Sequence, residues 1–150
     1  GHAMIRLTKT KSQHDGNGMR QIEMETTKHH HFPAVCQWRG LRADDVPRLM
    51  KIAEEIHPGL FEREEVFRER VTLFPEGCMA LVDEHASLCG YAISHPIRLR
   101  QIPPLNRLLG DTNVGAEQYF IHDIAILPEY RGLGHARRCV CEQTRKHALK

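Results

Sequence analysis

A glycine-rich turn between an apolar run and a polar helical run is the feature of this chain that most directly indicates chemistry. Residues 124–136 read IAILPEYRGLGHA, and Pro128 ends the apolar run. Gly132 and Gly134 have no Cβ, so the backbone at these positions can approach an anion closely. A helix that begins directly after such a turn points several backbone N–H groups, and the positive end of its dipole, at one spot. The pattern predicts a site for a phosphate or pyrophosphate.

The spacing of the glycines separates this turn from two common phosphate-binding motifs. A dinucleotide-binding turn reads Gly-x-Gly-x-x-Gly, but Arg137 stands where the third glycine is required. A P-loop ends in Gly-Lys-Ser/Thr, which this segment lacks. The segment fits Arg/Gln-x-x-Gly-x-Gly/Ala instead, with Arg131, Gly134 and Ala136 at the fixed positions. An ordinary glycine turn before a helix is the alternative interpretation.

This stretch, with Asp-Ile-Ala-Ile-Leu-Pro before it, resembles the acetyl-CoA site of the GNAT superfamily of N-acyltransferases. The resemblance is sharp over residues 119–138 and rests on element order over the rest of 35–150. It implies transfer of an acetyl group from acetyl-CoA to a primary amine of a small molecule or peptide, without a metal. It also implies that the cofactor contacts the backbone of the fourth strand and the turn after it. The cofactor-binding residues implied in this way are Ile124, Ala125, Ile126, Arg131, Gly132, Leu133, Gly134, His135 and Ala136.

Two titratable residues, His122 and Asp123, precede the apolar segment. In polyamine-type members of the family an acidic pair occupies the corresponding positions, and its first member is placed to take a proton through water. The resemblance therefore makes His122 and Asp123 the candidate catalytic residues. His122 is the first choice, because an imidazole can accept a proton near neutral pH. Strand alternation predicts that the two side chains lie on opposite faces of the sheet. A hydrogen-bonded structural histidine is the alternative for His122.

The composition fits a single globular domain and argues against several classes of partner. The chain has 150 residues, of which 41% are hydrophobic and 27% charged, and its net charge of +2 is too small to indicate nucleic acid. No run of about 18 apolar residues is present, so no membrane partner is expected. The five cysteines form no Cys-x-x-Cys pair, which is typical of reduced thiols in a cytoplasmic protein.

The apolar periodicity predicts the order strand, helix, helix, strand, strand, strand, helix. Asp44 is the expected cap of the first helix. With the resemblance, this order implies an α/β, GNAT-like acyl-CoA N-acyltransferase fold, in which helices flank a mixed, mostly antiparallel sheet. The predicted segments are 35–41 (strand), 44–58 (helix), 62–73 (helix), 78–83 and 88–94 (hairpin strands), 119–127 (strand) and 133 onward (helix).

The two ends of the chain carry separate expectations. Residues 1–33 are polar and begin with Gly-His-Ala-Met, which looks like a tag remnant, so a flexible arm is expected. The histidine run 28–31 within the arm has no evident metal-ligand partners and reads as solvated. Residues 34–150 form the predicted acetyltransferase domain.

The family fold continues beyond a third helix with a fifth strand, a fourth helix and two more strands. A truncated domain that lacks these C-terminal elements is therefore expected. An uncovered fourth strand would pair with another chain, so a homodimer is possible. The alternative function is a non-catalytic acyl-CoA-binding or protein-interaction module on the same fold.

Overall fold

The computed structural model describes residues 36–111 and 116–147. Within these ranges the chain forms the predicted order of strands and helices. The predicted arm 1–33, with its histidine run, lies outside the described residues. The strands are β1 (Gln37–Gly40), β2 (Cys78–Val82), β3 (Leu88–Ile97) and β4 (Gln118–Ile126); the helices are α1 (Val46–Ile56), α2 (Glu64–Leu73) and α3 (His135–Lys146); and short 3₁₀ helices span Ala43–Asp45, Pro75–Gly77 and Pro128–Tyr130.

The four strands form one sheet in the order β1-β2-β3-β4, and each pairs antiparallel with its neighbour. The predicted hairpin of β2 and β3 is confirmed. Gly90 lets β4 approach β3 closely, since a Cβ at this position would lie 2.6 Å from the carbonyl oxygen of Ala125. In the described part of the chain, β4 lies at the edge of the sheet.

Apolar side chains cover both faces of the sheet. On one face, Leu49 and Ile52 of α1 are fully buried and belong to the same cluster as Tyr91. On the other face, Cys139 of α3 packs in a cluster with Ile124. Each fully buried leucine or isoleucine contributes roughly 1.5–3 kcal/mol relative to an exposed side chain. The sheet is therefore enclosed by helices on both sides, as the sequence predicts.

The starts of two helices differ from the expectation. Asp44 does not cap α1 with its side chain. Asp45 accepts the hydrogen bonds instead, from the Arg39 guanidinium at 2.7 and 2.9 Å and from the Arg42 backbone N–H at 2.8 Å. The second helix begins at Glu64, because Arg63 before it is extended. Glu62 is therefore outside the helix, and it is buried.

The two faces of β4 are not filled by strict alternation. The register with β3 shifts between Ile121 and Asp123, so that His122 is the extra residue of a β-bulge. Glu62 and His57, both from the connection between α1 and α2, hydrogen-bond to His122 and Asp123 respectively. The expectation that His122 and Asp123 lie on opposite faces is therefore wrong, because the bulge turns both side chains toward the same connection.

Candidate active site

The turn after β4 has the backbone geometry that an anion site requires. Gly132 and Gly134 have φ angles of +80° and +78°, a region that favours glycine. The first helical bond of α3 runs from the Arg138 N–H to the Gly134 carbonyl at 3.0 Å. Among the described residues, the backbone N–H groups of 132–137 have no backbone acceptor. These N–H groups and the helix dipole are suited to phosphate groups.

Side chains hold the first turn of α3 in place. The Trp38 indole N–H donates to the His135 carbonyl oxygen at 2.9 Å and so links α3 to β1. The Arg138 guanidinium donates to Nδ1 of the His135 ring. Burial and the charge of Arg138 lower the pKa of His135. His135 can therefore offer a ligand its backbone N–H, while its ring is part of the protein's own packing.

The edge of β4 presents two backbone positions that face away from β3. The Leu127 N–H donates to a carbonyl of β3 at 2.9 Å, which fixes the alternation of inward and outward groups. By this alternation Ala125 directs its N–H and C=O toward β3, whereas Ile124 and Ile126 direct theirs toward the edge. The Arg131 Nε–H donates to the Ile126 carbonyl at 2.8 Å and ties the turn to the strand. Of the three positions predicted from sequence, Ile124 and Ile126 face the edge, and Ala125 is paired within the sheet.

His122 forms a buried pair with Glu62. The imidazole Nε2–H donates to Oε1 of Glu62 at 2.7 Å, and the two side chains are 7% and 4% exposed. The other carboxylate oxygen accepts the Asn106 backbone N–H at 3.0 Å. Burial acts to raise the pKa of Glu62, but the hydrogen bond and charge of His122 outweigh it and hold that pKa below its usual value. An ionised carboxylate therefore orients the ring and leaves Nδ1 of His122 as a proton acceptor.

Asp123 accepts two hydrogen bonds from neighbouring side chains. The His57 Nε2–H donates to Oδ1 at 2.9 Å, and the Tyr91 hydroxyl donates to Oδ2 at 2.6 Å. Burial and the charge of Asp123 raise the pKa of Tyr91 well above its usual value, so the phenol stays a donor. Because both oxygens are occupied, Asp123 is better suited to hold its two partners than to take a proton from a substrate.

A cavity of about 320 Å³ lies beside these pairs, where α1, the α1–α2 connection and β4 meet. Carboxylates outnumber cationic groups in its wall, and the rest of the wall is largely apolar. This composition suits a ligand with a positive charge and an apolar part. The titratable and charged wall residues are Lys51, Glu54, His57, Glu62 and Asp123, and the large apolar ones are Met50, Leu60, Phe61, Phe67 and Leu105.

Sequence reasoning missed three residues of this site, namely His57, Glu62 and Tyr91. Glu62 stands among other acidic residues at the start of a predicted helix, and His57 stands at the end of another. Their partners are 60 and 66 residues away in the sequence. The only local signal for His57 is the Pro-Gly that follows it, which marks the end of a helix and the start of a turn.

The described residues show no arrangement that suggests a metal or a membrane span. Within 36–111 and 116–147, no group of three or more His, Cys, Asp or Glu side chains is placed to hold a metal ion. No helix in the same ranges has the length and apolar character needed to cross a membrane. Cys78, Cys89 and Cys139 are buried free thiols, and Cys141 is exposed. Burial raises the pKa of Cys78 and Cys139 to about 12, which makes them unreactive.

A comparison with protein families gives one match that covers well over half of the chain. The family is described as the acetyltransferase (GNAT) family, and its model matches residues 46–145. No curated protein sequence matches the chain.

Similar structures share the fold at low sequence identity. The loading GNATL domain of CurA from Lyngbya majuscula matches with a TM-score of 0.66 at 17% identity, over 77% of this chain and 60% of that one. The GphF GNAT-like decarboxylase in complex with isobutyryl-CoA matches with a TM-score of 0.65 at 17% identity, over 76% of this chain and 60% of that one. Chaetomium thermophilum Naa20 in complex with a bisubstrate analogue matches with a TM-score of 0.54 at 16% identity, over 73% of this chain and 55% of that one. The chain thus spans 60% or less of the length of each.

Proposed function

Because the chain belongs to the acetyltransferase (GNAT) family, we propose that it transfers an acetyl group from acetyl-CoA to a primary amine of an acceptor. The observation that carries the proposal is the turn between β4 and α3. Its N–H groups at residues 132–137 have no backbone acceptor in the described part of the chain, and they follow directly on a strand edge whose outward groups belong to Ile124 and Ile126. Each histidine–carboxylate pair joins one residue of the same strand, His122 or Asp123, to a residue of the α1–α2 connection.

The residues of the turn fit a pyrophosphate. A Cβ built at Gly132 or Gly134 would meet no atom within 4 Å, so the space above the turn is open to a ligand. The backbone N–H groups from Gly132 to Ala136 would hold the phosphate oxygens. The edge groups of Ile124 and Ile126 would hold the amides of the pantetheine arm and the thioester carbonyl. A backbone N–H aimed at the developing oxyanion contributes a few kcal/mol to transition-state stabilisation, roughly 2.7–4 kcal/mol where such donors have been removed.

The proposed reaction joins the amine nitrogen to the thioester carbon. The nitrogen attacks the carbonyl carbon, the C–N bond forms, the C–S bond breaks, and the thiolate leaves with a proton to give CoA. His122 accepts a proton from the attacking nitrogen on Nδ1 through one bridging water, because its Nε2–H is held by Glu62. Asp123, which the sequence also suggests as a catalytic residue, acts here through the residues it holds.

The acceptor amine would occupy the acidic and apolar cavity beside β4. Acetyl is the transferred group that the family name indicates. A longer acyl group is a second possibility to test, because isobutyryl-CoA is the ligand of the GphF complex.

The proposal is tested by release of free CoA thiol from acetyl-CoA and isobutyryl-CoA in the presence of a panel of primary amines. We expect acceptor-dependent release with at least one amine, and acetylated product in equal amount. The Gly134→Asp variant is the control, since its added charge lies in the proposed phosphate site. Binding of acetyl-CoA without transfer to any amine would favour the non-catalytic acyl-CoA-binding module instead.

A further inference from the structure

His57 is held rigidly at the end of α1. Its backbone N–H donates to the Ala53 carbonyl at 2.8 Å, and its own carbonyl accepts the Leu60 N–H at 3.0 Å. Its side chain is 5% exposed, and its Nε2–H donates to Asp123. Asp123 is in turn fixed by the Tyr91 hydroxyl. The ring therefore has one orientation, and one tautomer is favoured by the carboxylate.

The second ring nitrogen of His57 is available to a ligand. With a proton on Nε2, Nδ1 carries the lone pair. Among the described residues the only hydrogen bond of the ring is made by Nε2, and Nδ1 is not fully buried. His57 also lines the 320 Å³ cavity, whereas His122 does not, although its partner Glu62 does. An imidazole of fixed orientation therefore borders the proposed acceptor cavity.

We infer that His57 is a further catalytic residue, which takes the first proton from the acceptor ammonium inside this cavity. The inference rests on the proposed function. An ammonium must lose one proton before its nitrogen can attack, and the nitrogen loses a second proton as the amide forms. His57 accepts the first proton on Nδ1 and releases it to solvent. His122 accepts the second and returns it to the thiolate, so that the products are the amide, CoA and one proton.

The charges around His57 favour this task. The titratable and charged groups that line the cavity with His57 are Lys51 and Glu54 from α1, Glu62 from the α1–α2 connection and Asp123 from β4, and Tyr91 of β3 contacts Asp123. Three carboxylates against one lysine attract an ammonium to the cavity and stabilise an imidazolium once the proton has moved. A role limited to tying α1 to β4 would need the hydrogen bond to Asp123, but not a free Nδ1.

Replacement of His57 by glutamine separates these two roles. The glutamine amide can still donate to Asp123, but it cannot take a proton. With an n-alkylamine, which is an ammonium at neutral pH, we expect His57→Gln to lower kcat/KM by about a hundredfold or more. With an O-alkylhydroxylamine of the same length, which is already neutral, the loss should be less than about tenfold. His122→Ala should reduce the rate with both acceptors, and the Kd for acetyl-CoA should not change in His57→Gln.

Two further variants test the charge next to His57 and provide a surface control. Tyr91→Phe retains the imidazole but removes one donor to Asp123, which leaves more negative charge facing the ring; the acid limb of the pH–rate profile should then move to higher pH. His85→Gln, at a 79% exposed side chain, is the surface control and should match the wild type. Equal losses with both acceptors in His57→Gln, or no loss, would overturn the role of His57 while leaving acetyl transfer intact. Acetyl-CoA binding without transfer in the wild type would remove both the role and the function.

Discussion

Substitution of Gly134 should separate the folding of the turn from its binding of phosphate. The residue has φ +78°, and a Cβ there would meet nothing within 4 Å. In the free protein, Gly134→Ala therefore costs only what a left-handed backbone costs an alanine, about 1–2 kcal/mol, but its Cβ would occupy the space that is open to the phosphate. Gly134→Asp adds a charge beside the pyrophosphate. At about 4 Å this repulsion is worth about 1 kcal/mol in water and about 4 kcal/mol near a protein surface, so the Kd for acetyl-CoA should rise between about fivefold and about a thousandfold.

Gly110 provides the matched control for backbone strain. Its φ is +80°, and a Cβ there also meets nothing within 4 Å. Gly110→Ala and Gly134→Ala should lose similar free energy of unfolding in urea, but only the Gly134 variants should weaken acetyl-CoA in titration calorimetry. Added salt should reduce the difference in Kd for acetyl-CoA between Gly134→Asp and Gly134→Ala, because it screens the added charge. Gly134 variants that bind acetyl-CoA as tightly as Gly110→Ala would refute the placement of the phosphate site.

Three other predictions concern strand β4 and its partners. His122→Ala should lower kcat by about a hundredfold or more, with little change in acetyl-CoA affinity, and His122→Glu should recover part of the rate; steady-state kinetics and calorimetry measure both. Because the pKa of Glu62 is lowered on folding, the ionised carboxylate stabilises the folded protein at pH values above the usual glutamate pKa, and this contribution is lost as the pH falls. The free energy of unfolding in urea should therefore fall less steeply with acidification in Glu62→Gln than in the wild type. Gly90→Ala should cost about 1–3 kcal/mol, since its Cβ would approach the Ala125 carbonyl to 2.6 Å, whereas Gly40→Ala meets no atom within 4 Å.

The elements and the phosphate turn could be predicted because their signals are local. The hairpin follows from two apolar runs joined by a short polar turn, and the turn before α3 follows from Gly132 and Gly134. The first residue of α2 could not be predicted from local signals. Glu62 looks like part of an acidic first turn, but the extended backbone of Arg63 and the pair with His122 place it inside the protein.

The pairing of the candidate catalytic residues could not be predicted, because it depends on the register between two strands. An extra residue in β4 reverses the side-chain alternation from His122 toward the start of the strand. No pattern within β4 marks that residue as a bulge. The contacts of His57 and Tyr91 with Asp123 span 66 and 32 residues, and they form only once the sheet and α1 have packed.

Several expectations from the sequence stay predictions. The C-terminal elements of the family fold and the homodimer are among them, as is the cytoplasmic location. The amine panel will identify the acceptor. The cavity between α1 and β4 favours amines that combine a positive charge with an apolar group, so the panel should contain such amines.

Hydrogen–deuterium exchange of the backbone amides, with and without acetyl-CoA, tests the central claim most directly. The amides of residues 132–137 have no backbone acceptor among the described residues, so they should exchange quickly in the free protein. With acetyl-CoA bound, they should become protected, together with the edge amides of Ile124 and Ile126. Ala125 is paired with β3 and should change little. Binding of acetyl-CoA that leaves exchange at 132–137 unaltered and protects another segment would contradict the account.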